Sequence, residues 1–170
     1  MPRSSHDGTA SDVIAILTSG GDIGRPLPIR GPMRALSAFT DASFLKAGES
    51  GLALAWAGGT PPYEVVVETE DGVALNQFVS PAPFLWQPDW QMPNTVVRLR
   101  IYDGNDRVVR TELRPSIAAP ALESHDPVAG PIELYQKQPA WRYEALRMLA
   151  NAAAHDPLAA QAVLAIRLSD

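Results

Sequence analysis

Between residues 51 and 114 apolar residues recur with a period of two, and proline and glycine interrupt the pattern at short intervals. A period of two places successive side chains on opposite faces of a strand. It does not suit a helix, where residues three or four apart share a face. Leu52, Leu54 and Trp56 alternate with Ala53 and Ala55. Tyr63, Val65, Val67 and Thr69 alternate with Glu64, Val66 and Glu68, and Val97, Leu99 and Ile101 alternate with Arg98, Arg100 and Tyr102. The chain also holds 16 prolines. Each removes a backbone donor and fixes φ, which argues against an all-helical protein and favours short strands joined by loops.

The interruptions predict the turns. Gly58-Gly59-Thr60-Pro61-Pro62 ends the first strand. Asp71-Gly72 predicts a hairpin with a return strand over 73–79, because both residues tolerate positive φ. Asp103-Gly104-Asn105-Asp106 predicts another, and there the register can be argued. Opposed residues of an antiparallel pair share a face. A four-residue loop pairs 102 with 107 and carries Arg110 and Glu112 onto the apolar face. A three-residue loop, 104–106, pairs 101 with 109, 99 with 111 and 97 with 113, and keeps Val109, Thr111 and Leu113 inside. The odd loop is expected, with Gly104 or Asn105 at positive φ.

After a Pro- and Ala-rich linker at 116–139 the period changes. Trp141, Ala145, Met148, Leu149 and Ala152 lie at helical spacing, as do Leu158, Ala162, Val163 and Ile166. Asp156 suits an N-cap and Pro157 the first helical position, so 140–168 reads as a helical hairpin. Its apolar stripes must be buried, either on the strands or against another chain. Trp141, Leu149, Val163 and Ile166 are therefore the candidates for a surface that takes a protein partner or a second copy.

Residues 1–50 are less regular. Residues 1–11 read as a polar tail, Val13–Leu17 as a strand and 18–34 as irregular chain, while 35–47 are ambiguous and admit a short helix. The division expected is an extension over 1–50, a β core over 51–115, a linker over 116–139 and the hairpin over 140–168.

Composition excludes several function classes. Apolar residues make up 46% of the chain, enough for a core in a soluble globular protein of 170 residues. The net charge is −5 and there is no basic run, so nucleic acid, whose phosphates need cations, is not an expected partner. There is no cysteine, which removes disulfides, thiol nucleophiles and cysteine zinc sites together. No stretch approaches the ~20 apolar residues of a membrane helix, and residues 1–12 lack the apolar run of a signal peptide.

The run Trp56-Ala57-Gly58-Gly59-Thr60-Pro61-Pro62-Tyr63 resembles the opening of PKD-type and related immunoglobulin-like repeats of bacterial surface proteins. In those a similar run joins two early strands. The resemblance extends over 52–114, and this motif is its specific part. It implies an immunoglobulin-like module serving as a spacer or binding unit, without catalysis, and favours the periplasm or envelope over the cytoplasm. Together with the strand count, the expected fold is mainly β: an immunoglobulin-like antiparallel sandwich with a C-terminal α-helical hairpin.

Candidate sites are few. Phe84, Trp86 and Trp90 stand among Pro81, Pro83, Pro88 and Pro93. They form either an aromatic platform for a sugar ring or a peptide, or a strand with Phe84 and Trp86 facing the core. Ile14-Ala15-Ile16-Leu17-Thr18-Ser19-Gly20-Gly21-Asp22 is similar to the first strand and glycine loop of phosphofructokinases, which implies phosphate or nucleotide binding at 18–24. Pro26, Pro28 and Pro32 forbid the helix that follows that loop in the family. Asp103-Gly104-Asn105-Asp106 hints at calcium, but Arg107 and Arg114 occupy ligand positions of an EF-hand loop, leaving a turn-tip site with Glu70 or Asp71 as the remaining form. His6, His125 and His155 make no triad, and no G-x-S-x-G elbow occurs. The expectation is a non-enzymatic binding or assembly module with no catalytic residue, metal or cofactor. Phosphate binding at 18–24 and glycan binding at Trp86 and Trp90 are the alternatives.

Overall fold

Eight strands precede three helices in the computed structural model, which describes residues 34–35 and 43–168. The strand at Val13–Leu17, the glycine loop at 18–24 and His6 lie outside the described residues. The strands are β1 (Arg34–Ala35), β2 (Ser43–Lys46), β3 (Ser50–Ala57), β4 (Tyr63–Thr69), β5 (Gly72–Val79), β6 (Phe84–Gln91), β7 (Val97–Tyr102) and β8 (Val108–Ser116). The helices are α1 (Ala129–Lys137), α2 (Arg142–Ala152) and α3 (Pro157–Leu168), with a short 3-10 turn at Pro139–Trp141 before α2.

The strands form two sheets, one ordered β1-β3-β6 and the other β2-β8-β7-β4-β5. Their inner faces make a sandwich core that includes Leu52, Leu54, Trp56, Tyr63, Val65, Val67, Val97, Leu99 and Leu113. Trp56 meets Tyr63 edge-on across the sheets, with ring centroids 5.2 Å apart at 78°. Gln87 donates to Gln77 where β6 faces β5. The pairing is antiparallel except that β2 runs parallel to β8, Ser43 opposite Leu113. The fold is the mainly-β sandwich that the alternation predicts.

The β7–β8 hairpin has the predicted register, with Val97 opposite Leu113, Leu99 opposite Thr111 and Ile101 opposite Val109. The positive φ falls on Asp106 (62°), not on Gly104 or Asn105. A three-residue hairpin loop builds a type I turn and then one left-handed residue, which places the left-handed position third. Asp is one of the few residue types besides glycine that visit this region, since a short polar side chain can hydrogen-bond locally there.

Asp103 organises this end of the sandwich and is 4% exposed. Its Oδ1 accepts from the amides of Asn105 and Arg107, both at 2.9 Å. Its Oδ2 accepts from the Thr60 amide at 3.1 Å and Arg107 Nε at 3.0 Å. Burial alone would raise the carboxyl pKa, but these amides and the guanidinium outweigh it and hold the group below the ordinary carboxylate range. A carboxylate so filled with donors has no lone pair for calcium. Glu70 and Asp71 lie at the opposite end of β4, about 20 Å away for a strand of this length. The turn-tip calcium site is thereby excluded.

The lowered pKa fixes a pH dependence. The unfolded chain binds the Asp103 proton more readily, so its stabilisation is complete above about pH 4 and is lost as pH falls through the depressed folded value. Asp103→Asn should cost about 2–3 kcal/mol at neutral pH. Urea unfolding followed at neutral pH and at pH 3 should show the gap between variant and parent narrowing in acid.

Both faces of β3 are buried. Leu52, Leu54 and Trp56 belong to the sandwich core, while α2 and α3 pack against the other side. Ala53 and Ala55 on that side let the helices come close. Two expected elements differ here. Within 35–47 the described residues are Ala35 in β1, Ser43–Lys46 in β2 and Ala47 in a turn, and none is helical; at β2 Phe44 stacks on Trp141 at 5.4 Å and β8 supplies the ladder. The expected linker 116–139 contains α1. Asp126 Oδ1 caps this helix by accepting from the Val128 and Ala129 amides at 2.8 Å, and Pro131 sits in the first turn, where its missing N–H is harmless. Asp156 Oδ1 accepts from the Leu158 amide at 2.9 Å at the start of α3, as its position before Pro157 predicts. Among the described residues no helix is long and apolar enough to cross a membrane.

Candidate functional site

The residues offered as a partner surface are core residues. Trp141 is 8% exposed and Val163 8%, while Leu149 and Ile166 are fully covered. The chain buries its own helical stripes: Trp141 under Phe44, and the rest between α2, α3 and β3. Spacing revealed the stripe but not its covering, which comes from strands a hundred residues earlier.

Phe84, Trp86 and Trp90 are half-buried and pack against the core. Arg167 of α3 lies over the Phe84 ring at 5.0 Å. Trp86 stands opposite Ala53, on the helix side of β3, with its six-membered ring against Gly51. The Trp90 indole N–H is buried without a partner. These three side chains are therefore not laid out as an open platform. His125 is exposed in the loop before α1, and His155 is exposed after α2.

A cleft of about 580 Å³ opens elsewhere, between the β2–β3 turn, the segment 119–127, α1 and α2. That size suits a small organic ligand. One wall is apolar: Leu122, Pro120 and Pro127 from the loop, Pro131 and Leu134 from α1, and Met148 and Ala152 from α2. Lys46, Glu49, Asn151 and His155 also line it. The loop wall is pinned to α1 by Glu133, whose carboxylate accepts from the amides of Glu123 at 3.2 Å and Ser124 at 3.3 Å. Burial would raise the Glu133 pKa, but these amides and Lys137 lower it.

The cleft also reaches a buried ion pair, Glu144 (2% exposed) and Arg147 (6%), one turn apart on α2. Arg147 Nε donates to Glu144 Oε1 at 3.0 Å, its Nη2 donates to Oε2, and its Nη1 donates to the Ser50 carbonyl at 3.0 Å. Glu144 Oε1 also accepts from the Lys46 amide at 3.0 Å. The pair thus clips α2 to both ends of the β2–β3 turn. Its hydrogen bonds are directed into the fold, which leaves little for proton transfer. No serine, threonine, cysteine or tyrosine lines the cleft, and Lys46 Nζ pairs with Glu49 at 3.4 Å. The titratable side chains that remain on its lining are Lys46, Glu49 and His155. Among the described residues no three His, Cys, Asp or Glu side chains group as a metal site.

No family model matches this sequence. No curated protein matches it. Among solved structures the chain is similar to CopC from Methylosinus trichosporium OB3b, at 14% identity and a TM-score of 0.30, over 47% of this chain and 90% of that one. A likeness at that level carries no argument about function.

Proposed function

We propose that this chain is a non-enzymatic binding module, in which the sandwich is the scaffold and the helix-walled cleft takes an amphipathic small ligand. The observation that carries this reading is the buried Glu144–Arg147 pair, committed to holding α2 on the β2–β3 turn at the edge of an otherwise largely apolar cleft. A polar group of the ligand would meet Lys46, Asn151 or His155, and its apolar body would lie on Leu122, Leu134 and Met148. We further propose membership of the PKD-type repeats, and with it a place in a bacterial envelope protein. It rests on the Trp56–Tyr63 run, in which the Tyr63 hydroxyl donates to the Gly58 carbonyl at 2.9 Å and folds the loop back on the sandwich.

The test uses anilinonaphthalene sulfonate, an apolar dye with one anionic group. It should bind saturably at one site per chain with blue-shifted emission, and Asn151→Trp, which fills the mouth with an otherwise exposed side chain, should abolish that site. Dye binding indifferent to Asn151→Trp would refute the cleft. Turnover of a model ester, phosphoester or glycoside that disappears in His155→Ala would refute the non-enzymatic assignment.

A further inference from the structure

We infer that β5 is a self-association edge, and that two copies of this chain pair β5 to β5 in antiparallel fashion. Residues 72–79 read Gly-Val-Ala-Leu-Asn-Gln-Phe-Val, without a charge or a proline. β5 is the last strand of the five-stranded sheet, and among the described residues it pairs only with β4. Val73 is 59% and Phe78 69% exposed.

Free strand edges are normally blunted by charge, proline, shortness or cover, because their open N–H and C=O groups template another strand. The other edges of this sandwich are blunted. Among the described residues β1 has two, and β2 has four and lies against α2 and the 3-10 turn. β6 carries Pro88 and Asp89 beside an irregularity in its register. Among the described edges β5 alone combines eight residues with no charge and no proline; its register irregularity, at Ala74, lies near the turn and leaves Leu75–Val79 regularly paired.

The edge fits a second copy. The chain carries −5 overall, yet β5 is neutral, so the pairing strands bring no like charges together. In an antiparallel pair the acidic turn Glu70–Asp71 of one copy falls beside the uncharged Val79-Ser80-Pro81 end of the other. A twofold arrangement satisfies both edges at once and leaves no new edge, so it stops at a dimer. With Asn76 opposite its own copy, the outer faces of the two sheets run on continuously and both Phe78 rings lie on that shared face. The cleft sits at the β2 edge, on the far side of the same sheet, so the two proposals stand or fall separately.

Sedimentation of the full chain, from low micromolar to several hundred micromolar, should give a monomer–dimer equilibrium. Phe78→Lys should weaken it by about tenfold or more, since a charge on the edge repels its own copy. Ile117→Lys, which removes an apolar residue 90% exposed away from β5, should leave it unchanged. Because the chain has no cysteine, Asn76→Cys should oxidise to a single cross-linked dimer. A monomer at every concentration, a dimer indifferent to Phe78→Lys, or open-ended association would overturn the inference.

Discussion

Arg147→Leu should cost about 3–5 kcal/mol, because it leaves the Glu144 carboxylate buried without its cation. For a chain of this length that lowers Tm by roughly 6–20 °C. Glu144 is 2% exposed and keeps only the Lys46 amide as a charge-stabilising donor. The Ser50 carbonyl loses its partner as well, so the clip between α2 and the β2–β3 turn opens at both points. The double variant Glu144→Leu with Arg147→Leu should be more stable than Arg147→Leu alone, since a buried pair exchanged whole for apolar side chains costs little. Recovery stays partial because the Lys46 amide then has no acceptor. Thermal unfolding of the three proteins checks this. A double variant worse than the single one would show that the pair stabilises by more than mutual compensation.

Gly51→Ala should cost about 3 kcal/mol or more, from two separable causes. Gly51 holds φ at +112°, which an L side chain rarely adopts. A methyl there would also stand 2.6 Å from Trp86 Cη2, 2.9 Å from Cζ3 and 3.3 Å from Arg147 Cγ. Indole is rigid and Trp86 packs against the core, so the ring must move. Gly72 provides the control: its φ is also +112°, but nothing lies within 4 Å of a methyl there. Gly72→Ala should therefore show the backbone cost alone, about 1–2 kcal/mol. The difference in urea midpoint between the two variants measures the close approach of Trp86 and Arg147 to β3. Equal losses would mean that the ring yields freely.

The sandwich was legible because its information is local. Alternation marked β3, β4 and β7, Asp71-Gly72 marked the first hairpin, and the side-chain pattern alone selected the three-residue loop between β7 and β8. The left-handed residue was misplaced because residue preference favours Gly or Asn, whereas loop geometry demands the third position, Asp106. β2 was missed because four residues cannot display a period, and its strand state comes from β8 and Trp141. α1 was missed because Gly130-Pro131 reads as a breaker, although a first-turn proline behind the Asp126 cap is compatible with a helix. The helical stripes were readable, but not what covers them. The cleft was invisible because Lys46, Leu122 and Met148 become neighbours only after the helices dock.

If ligand enters the cleft, methionine methyl NMR should see it at Met148. The chain has four methionines. Met148 lines the cleft, and Met92 is 6% exposed in the core. Titrating methyl-labelled protein with anilinonaphthalene sulfonate should shift the Met148 signal saturably, with the same midpoint as the fluorescence, and leave Met92 in place. Dye binding that leaves Met148 unmoved would contradict the assignment of the site.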